Sequence, residues 1–387
     1  MPVLNVPTPA YMADSEFAMF RDSTGRFLDQ HAGPEKLDGW RREGVVERAL
    51  WTKAGEAGLL GLSTQAENGG IGGDFRHEVV LMEEITRRGL DAWGATLHNA
   101  IVMPYIEGYG TAEQKARWLP RLASGELVSA IAMTEPGTGS DLQSVKTTAK
   151  RHGNGYRING SKTFITNGQT ANLIVVVAKT DPSQGAKGTS LLVVETDEAD
   201  GFRRGRNLDK VGLEAADTSE LFFDDVPVPA DNLLGPEEGR GFFQLMEKLP
   251  QERLIIAIGG VAMMERALEV TLAYVKERRA FGRAVIDNQA VQFKLAERKT
   301  DATVARVFVD HCVERHLAGE LDAATASMAK YWVTDLQNRL IDDCLQLHGG
   351  YGYMDEYPIA RMYKDARVAR IYGGANEIMK VLIARTL

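Results

Sequence analysis

Cysteine and histidine are scarce in this chain, which has two cysteines and seven histidines in 387 residues. The cysteines, Cys312 and Cys344, cannot build a framework of disulfide bonds and fit a reducing compartment. No H-E-x-x-H pattern brings two histidines onto one helical face. We therefore expect no metal site.

A surplus of basic residues is also missing. Lys and Arg number 45 against 53 Asp and Glu, which gives a formal net charge of −8. This balance provides no general attraction to nucleic acid or to an anionic membrane, so we expect neither as a partner. A ligand that carries phosphate needs a local basic patch, and Arg278, Arg279 and Arg283 form one candidate. The alternative is that these arginines lie in a solvated turn between two helices.

Long apolar runs are absent. The longest, Leu254 to Met264, lies between Arg253 and Glu265 and is too short to span a bilayer. The first residues contain neither the basic nor the apolar segment of a secretory signal. We therefore expect a soluble, cytoplasmic protein without a membrane span.

Several common catalytic and nucleotide-binding motifs are not present. Gly137-x-Gly139 is followed by Leu142 where a dinucleotide-binding motif needs a third glycine, and Gly350-x-Gly352 fails in the same way. The chain contains no G-x-x-x-x-G-K-[ST] phosphate loop and no G-x-S-x-G nucleophile turn. These absences exclude the usual nicotinamide, P-loop and hydrolase folds.

What the sequence does contain is a three-part order of patterns. Helical periodicity dominates the first part and the last, whereas short β-branched runs separated by turns fill the middle and predict antiparallel strands. Two long apolar stripes at helical spacing begin at Leu254 and Val291 in the last part. This order predicts an α+β protein. We expect an N-terminal α-helical domain over 1–127, a middle β domain over 128–236 and a C-terminal α-helical domain over 237–387.

Two segments of the middle part carry polar groups at positions suited to a ligand. In MTEPGTGSD (133–141) a strand runs into a turn whose two glycines leave backbone N–H groups accessible, and Thr134 and Ser140 add hydroxyls. In GSKTFITNG (160–168) strand alternation places Phe164 and Thr166 on one face. The alternatives are an ordinary hairpin turn and an ordinary half-buried strand.

From Asp14 to the C-terminus the sequence resembles the acyl-CoA dehydrogenase family. Five segments occur in the order of the family's motifs: the two segments just described, then ERRAFGRAVIDNQAVQFKLAE, QLHGGYGYMDEYPIAR and IYGGANEIMK. LPQERLIIA and ASMAKYW make the C-terminal third similar to the long-chain branch. The resemblance implies a C-terminal four-helix bundle, FAD between the domains, and a homotetramer built as a dimer of dimers.

The resemblance also implies roles for individual residues. The residues expected to bind FAD are Met133, Thr134, Gly139, Ser140, Phe164, Thr166, Arg278, Phe281, Gln289, Gln346, Gly349, Gly350, Ala375 and Glu377. Of these, Arg278, Phe281, Gln289, Gln346, Gly349 and Gly350 would hold the pyrophosphate and adenosine across a subunit boundary. Those expected at the substrate are Ser140, Arg253, Tyr372 and Gly374, with Arg253 either positioning the substrate or bracing the site. Two departures stand out, because many members have tryptophan at Phe164 and most have threonine at Ala375.

The catalytic base is the largest departure. Removal of a proton alpha to a thioester requires a carboxylate in a dry pocket. Most family members carry that glutamate in a C-terminal Tyr-Glu-Gly-Thr turn, where this chain has Gly373. In the long-chain and isovaleryl branches another helix supplies it, and Glu252 matches that position.

Local physics is compatible with a base at Glu252. At about 100° per residue it shares an apolar helix face with Ile256, Gly259 and Met263, so burial should raise its pKa. Pro250 predicts that the helix begins nearby. The alternative follows from that start, because a glutamate in a first turn is stabilised by the helix dipole, which lowers its pKa.

The sequence therefore predicts an FAD-dependent acyl-CoA dehydrogenase that makes the trans-2-enoyl-CoA from a long or branched acyl-CoA, with Glu252 as base. An electron-transferring flavoprotein is the acceptor that the resemblance implies. Two alternatives remain at this point. One is a flavin-binding acyl-CoA oxidase, and the other is a non-catalytic flavin-binding subunit in which Gly373 marks a dead site.

Overall fold

The structure is a computed structural model that describes residues 3–387. Its first part is helical and ends in a helix whose N-terminus is capped by Thr111, which forms a capping box with Gln114. A π-helical turn, His98–Val102, joins two helices of this part into one continuous rod. The helices are α1 (Ser15–His31), α2 (Pro34–Glu43), α3 (Arg48–Glu56), α4 (Phe75–Arg88), α5 (Ala95–Leu97), α6 (Met103–Tyr109) and α7 (Ala112–Ala123).

The second part is a seven-stranded sheet. Its strands are β1 (Ser129–Ala132), β2 (Thr148–His152), β3 (Gly155–Thr166), β4 (Leu173–Lys179), β5 (Thr189–Glu195), β6 (Phe202–Asn207) and β7 (Thr218–Pro229). The order across the sheet is β1-β4-β2-β3-β7-β6, and β5 pairs with β4. All seven residues of β4 are buried, because alternate side chains pack on α6 and α7 or into the concave side of the sheet.

The sheet is mixed, which corrects the expectation of a purely antiparallel domain. Strands β1 and β2 run parallel to β4, whereas β2–β3, β3–β7, β4–β5 and β6–β7 are antiparallel. β-Branched runs indicate that strands exist but not which strands pair, and the β2–β3 hairpin separates β1 from β4 in the chain. Strands β2 and β6, with sequences TAKRH and FRRGRN, are too polar to be recognised from apolar alternation.

The third part consists of long helices. They are α8 (Gly241–Glu277), α9 (Gln289–Leu317) and α10 (Ala323–Leu347), followed by the shorter α11 (Pro358–Ala366) and α12 (Asn376–Ala384), which both pack on α10. A two-residue hairpin of β8 (Arg279–Ala280) and β9 (Arg283–Ala284) joins α8 to α9. Most residues of the two predicted apolar stripes are buried in one core shared by these helices and α4. The α+β fold class is therefore confirmed.

The start of α8 differs from the prediction. The helix begins at Gly241 and continues through Pro250, which lies inside it. Pro250 removes one backbone donor, but the buried Gln244 and Leu245 anchor the preceding turns in the protein. Tertiary packing therefore outweighs the local preference of proline for a helix start. Glu252 consequently lies in the helix interior, away from the dipole of the N-terminus.

Within residues 3–387, no helix is long and apolar enough to cross a membrane. The same residues contain no group of three or more His, Cys, Asp or Glu side chains arranged to hold a metal ion.

Candidate active site

The two polar segments of the sheet domain lie side by side. The backbone N–H of Thr163, next to Phe164, donates to the carbonyl of Thr134 at 2.9 Å. The ammonium group of Lys162, which is fully buried, donates to the carbonyl of Met133 at 3.0 Å and to Glu135 Oε1 at 2.9 Å. The predicted group Met133, Thr134, Phe164 and Thr166 is thus assembled on one rim of the sheet.

Phe164 is held in an unusual position on that rim. Its side chain is 66% exposed and its φ angle is 58°, at an irregularity in the pairing of β3 with β7. Positive φ is costly for a bulky residue, so the surrounding structure must impose it. In the segment bonded to Thr163, a Cβ atom added at Gly137 or at Gly139 would meet nothing within 4 Å. The exposed aromatic ring of Phe164 and the open glycine turn thus belong to two segments joined by the hydrogen bond from Thr163 to Thr134.

A second group lies in the helical domain, in an open groove of about 510 Å³. Arg278, Gly349 and Gly350 line this groove together with aromatic residues such as Tyr274 and Tyr351. Space beyond both glycines is open, so their backbone can approach a ligand. The guanidinium of Arg278 lies 5.4 Å from the ring centre of Tyr351, which leaves a cation and aromatic surface in one place.

The other predicted FAD-binding residues of the helical domain are exposed in the single chain. Phe281 is wholly exposed at the tip of the β8–β9 hairpin, with φ angles of 50° for Phe281 and 80° for Gly282. Within the described part of the chain, no residue covers it. Gln289, Gln346 and Glu377 are also exposed, whereas Ala375 is half-buried.

Glu252 occupies a different environment, because only 6% of it is exposed. Its Oε1 atom accepts a hydrogen bond from the hydroxyl of Tyr105 on α6 at 2.8 Å. Burial raises the pKa of Glu252 to about 7, whereas the Tyr105 hydrogen bond and the charge of Arg253 act in the opposite direction. The carboxyl group can therefore exchange a proton near neutral pH, as a general base must.

The glycine turn at the position of the usual glutamate lies against Ile256, which is one helical turn from Glu252 on α8. Gly373 has a φ angle of 60°, and a Cβ atom placed on it would lie 2.2 Å from Cδ1 of Ile256. Gly374 has a φ angle of 93°. A side chain at position 373 would therefore intrude on the helix face that carries Glu252, and the turn is shaped for glycine.

Lys330 stabilises this turn through hydrogen bonds. Its fully buried ammonium group donates to the carbonyl of Gly374 at 2.7 Å and to Asn376 Oδ1 at 2.9 Å. Burial and the nearby charge of Arg253 lower the pKa of Lys330 to about 8. Asn376 in turn donates to Asp335 and to Thr334 on α10, so the turn is bonded to the helix at several points.

Arg253 and Tyr372 flank the turn without contacting each other through a hydrogen bond. Arg253 is buried and donates to the hydroxyl of Ser327 on α10 at 3.3 Å, while its Nε atom finds no partner among residues 3–387. Tyr372 is 46% exposed beside Gly373. Ser140, the remaining predicted substrate residue, is exposed in the turn after β1.

Chemically, these groups fit a flat cofactor and an acidic carbon. The exposed Phe164 and the unfilled glycine turn suit an aromatic ring system, and the groove with Arg278 suits a pyrophosphate and a base. The residues present therefore fit FAD. A buried carboxylate with a pKa near neutrality suits removal of a proton from carbon.

Three family models match the chain almost from end to end. They are the acyl-CoA dehydrogenase N-terminal domain over residues 14–126, the middle domain over 130–226 and the C-terminal domain over 239–387. The mitochondrial long-chain specific acyl-CoA dehydrogenase of Sus scrofa is 51% identical over 375 residues, which cover 96% of this chain and 86% of that protein.

Solved structures give the same result. The crystal structure of acyl-CoA dehydrogenase from Geobacillus kaustophilus has a TM-score of 0.95 and 51% identity, covering 98% of this chain and 99% of that one. A glutaryl-CoA dehydrogenase from Mycobacterium smegmatis in complex with FADH2 has a TM-score of 0.90 and 26% identity, covering 100% of this chain and 97% of that one. These similarities are those of an oxidoreductase from a flavoprotein family of fatty acid oxidation. The chain belongs to the acyl-CoA dehydrogenase family.

The sequence did not reveal three residues that shape the site. Tyr105 lies 147 residues before Glu252 in the chain, and no local pattern connects the two. Lys330 stands in an otherwise apolar segment, which is a signal of a buried cation but not of its partner. Lys162 is a charged residue within a predicted strand, and the sequence pattern does not indicate that it is buried or which groups it bonds.

Proposed function

We propose that this protein catalyses FAD-dependent α,β-dehydrogenation of an acyl-CoA thioester, with Glu252 as the base. The observation that carries the proposal is the buried carboxylate of Glu252, one helical turn from Ile256, which lies against Gly373. Position 373 is where most family members keep their glutamate. A proton leaves the alpha carbon for Glu252, and the product is the trans-2-enoyl-CoA. When bound, FAD supplies the oxidant that accepts the hydride from the beta carbon.

The chain's own residues divide the remaining tasks. Met133, Thr134, Gly139, Ser140, Phe164 and Thr166 hold the flavin ring, while Arg278, Gly349 and Gly350 hold the pyrophosphate and adenosine portion. Ser140, Tyr372 and Gly374 border the thioester, and the Gly374 amide polarises its carbonyl. The hydrogen bond to Ser327 favours the bracing role of Arg253 over direct contact with the substrate.

We further propose a long-chain acyl-CoA as the substrate. The support is the identity of about one half to relatives named long-chain specific. Branched acyl-CoA thioesters are the second class, since relatives named isovaleryl-CoA dehydrogenase are also found, at lower identity.

The proposed assembly is a homotetramer. Its support is that Phe281, Gln289 and Gln346, which the family resemblance places at FAD across a subunit boundary, are exposed in the single chain. An electron-transferring flavoprotein as acceptor and a cytoplasmic location belong to the same proposal and rest on the family resemblance. The domain limits 1–127, 128–236 and 237–387 are proposed likewise.

Anaerobic addition of palmitoyl-CoA to the purified flavoprotein tests the reaction. Bleaching of the visible flavin band with formation of hexadecenoyl-CoA is the expected result, and Glu252→Gln should keep the flavin but not bleach. A wild-type protein that stays yellow with palmitoyl-CoA but bleaches with a short or methyl-branched thioester would reject the long-chain assignment alone. A protein that bleaches with none of them would be a non-catalytic flavin-binding subunit.

Reoxidation separates the remaining rival. A dehydrogenase should react slowly with oxygen after reduction, and an added flavoprotein acceptor should restore turnover. Rapid oxygen consumption with stoichiometric hydrogen peroxide would show an oxidase.

A further inference from the structure

Two hydrogen bonds tie the base to the continuous rod formed by α5, the π-helical turn and α6. Tyr105, which is completely buried, donates through its hydroxyl to Glu252 Oε1 at 2.8 Å. One residue earlier on α8, the side-chain amide of Gln251 donates to the carbonyl of Ala100 in the π-helical turn at 2.6 Å. Both bonds join α8 to this rod at the level of the carboxylate, so they define where the base sits.

The surroundings of Glu252 make the Tyr105 bond distinctive. Among residues 3–387, no other side chain donates a hydrogen bond to this carboxylate. Arg253, whose charge acts on Glu252, lies on the same helix but donates to Ser327 on α10. Lys330 donates to Gly374 and Asn376 instead. Oε1 is therefore held, while Oε2 receives no hydrogen bond from residues 3–387.

We propose that Tyr105 is the positioning residue of the base, which fixes Oε1 of Glu252 so that Oε2 faces the alpha proton of the acyl-CoA. This inference rests on the proposed function and concerns the same site. The phenol keeps its own proton throughout: Oε2 gains the proton, the C–H electron pair stays with the substrate, and Tyr105 remains a donor to Oε1. Burial and the neighbouring Glu252 raise the pKa of Tyr105 well above its ordinary value, which agrees with a donor that does not ionise.

The phenol should also favour the charged form of the base, because a hydrogen bond donated to a carboxylate stabilises its anion. Tyr105→Phe removes only the hydroxyl and keeps the ring that fills the core. We expect the acid limb of kcat/KM for palmitoyl-CoA to move upward by about one pH unit in this variant. The loss of activity should therefore be about tenfold at pH 6 and much smaller at pH 9.

Tyr109 provides a matched control, since it lies one turn further along α6. Its hydroxyl donates to the carbonyl of Gln244 at 3.3 Å and does not contact Glu252. Tyr109→Phe removes a hydroxyl from the same helix, and we expect it to keep the wild-type acid limb. Thermal melting and flavin content of both variants show whether the fold is preserved.

A second measurement follows the carboxyl group without turnover. Infrared difference spectra over pH report the C=O stretch of the protonated carboxyl, which Glu252→Gln should abolish. In Tyr105→Phe the midpoint of this band should move upward together with the acid limb. An unshifted band and limb, or an equal loss of activity at every pH, would overturn the role of Tyr105 while leaving Glu252 as the base. Full turnover by Glu252→Gln would instead reject the base, and the inference with it.

Discussion

At the scale of single residues, Glu252 imposes a cost on the folded protein that depends on pH. Its pKa in the folded state is about 7, above the ordinary value of 4.5, because burial disfavours the charged form. Protonated Glu252 favours folding over unfolding more than its ionised form does. This contribution to the free energy of unfolding is fully present below pH 4.5 and is lost as the pH rises through 7. The proposed base therefore destabilises the folded protein most at the pH values where it is ionised.

This cost predicts that Glu252→Gln stabilises the protein at alkaline pH. The free energy of unfolding should rise by up to about 3 kcal/mol at pH 8 relative to wild type and change little at pH 5. Urea unfolding at the two pH values measures the difference. Glu269→Gln, which alters an exposed carboxylate on the same helix, is the control. Equal effects of Glu252→Gln at both pH values would contradict the desolvated state of the base.

Gly373 gives a second prediction at this scale. Gly373→Ala should lower the free energy of unfolding by about 2 kcal/mol or more, since it combines a positive φ angle with a contact of 2.2 Å to Ile256 Cδ1. Ile256→Val removes that same atom. The double variant Gly373→Ala/Ile256→Val should therefore recover part of the loss in a double-mutant cycle. Strictly additive losses would show that only the backbone angle matters.

At the scale of elements, the brace beneath the glycine turn can be tested through Lys330. Lys330→Met keeps the length of the side chain but removes the charged donor to the carbonyl of Gly374 and to the amide oxygen of Asn376. We expect kcat to fall at least tenfold with little change in KM, because in the proposed function the turn borders the thioester rather than the CoA portion. Lys380→Met, on the exposed face of α12, serves as the control. A rise in KM with unchanged kcat would show instead that the turn contributes to binding of the substrate in its ground state.

Element prediction from sequence succeeded where the pattern was local and failed where it was not. The stripe that begins at Leu254 identified α8, because burial of one face repeats at the helical period. The helix start predicted from Pro250 was wrong, because packing of the preceding turns stabilises a helix that begins at Gly241. The parallel pairing of β1 with β4 and the bond from Tyr105 to Glu252 both depend on contacts between distant segments, which no periodicity records.

At the scale of the whole molecule, one face of α9 is apolar and exposed. Phe293, Val304 and Val307 are each more than half exposed, which is unusual for such residues unless a partner covers them. We expect light scattering to give a mass about four times the 42.5 kDa of one chain. Val304→Asp together with Val307→Asp should shift the mass towards smaller species. An unchanged tetramer would place the interface elsewhere, and a wild-type monomer would contradict the proposed assembly.

The hydroxyl of Tyr105 and the carboxylate of Glu252 belong to elements far apart in the chain, so the proposed proton acceptor is complete only when α6 and α8 are docked. If the proposed function holds, mild urea that loosens this contact would abolish activity before the flavin is released, because the predicted flavin-binding groups lie on other elements. A partly loosened molecule would then fail to start the oxidation at all. It would not generate reduced flavin in a site already open to oxygen.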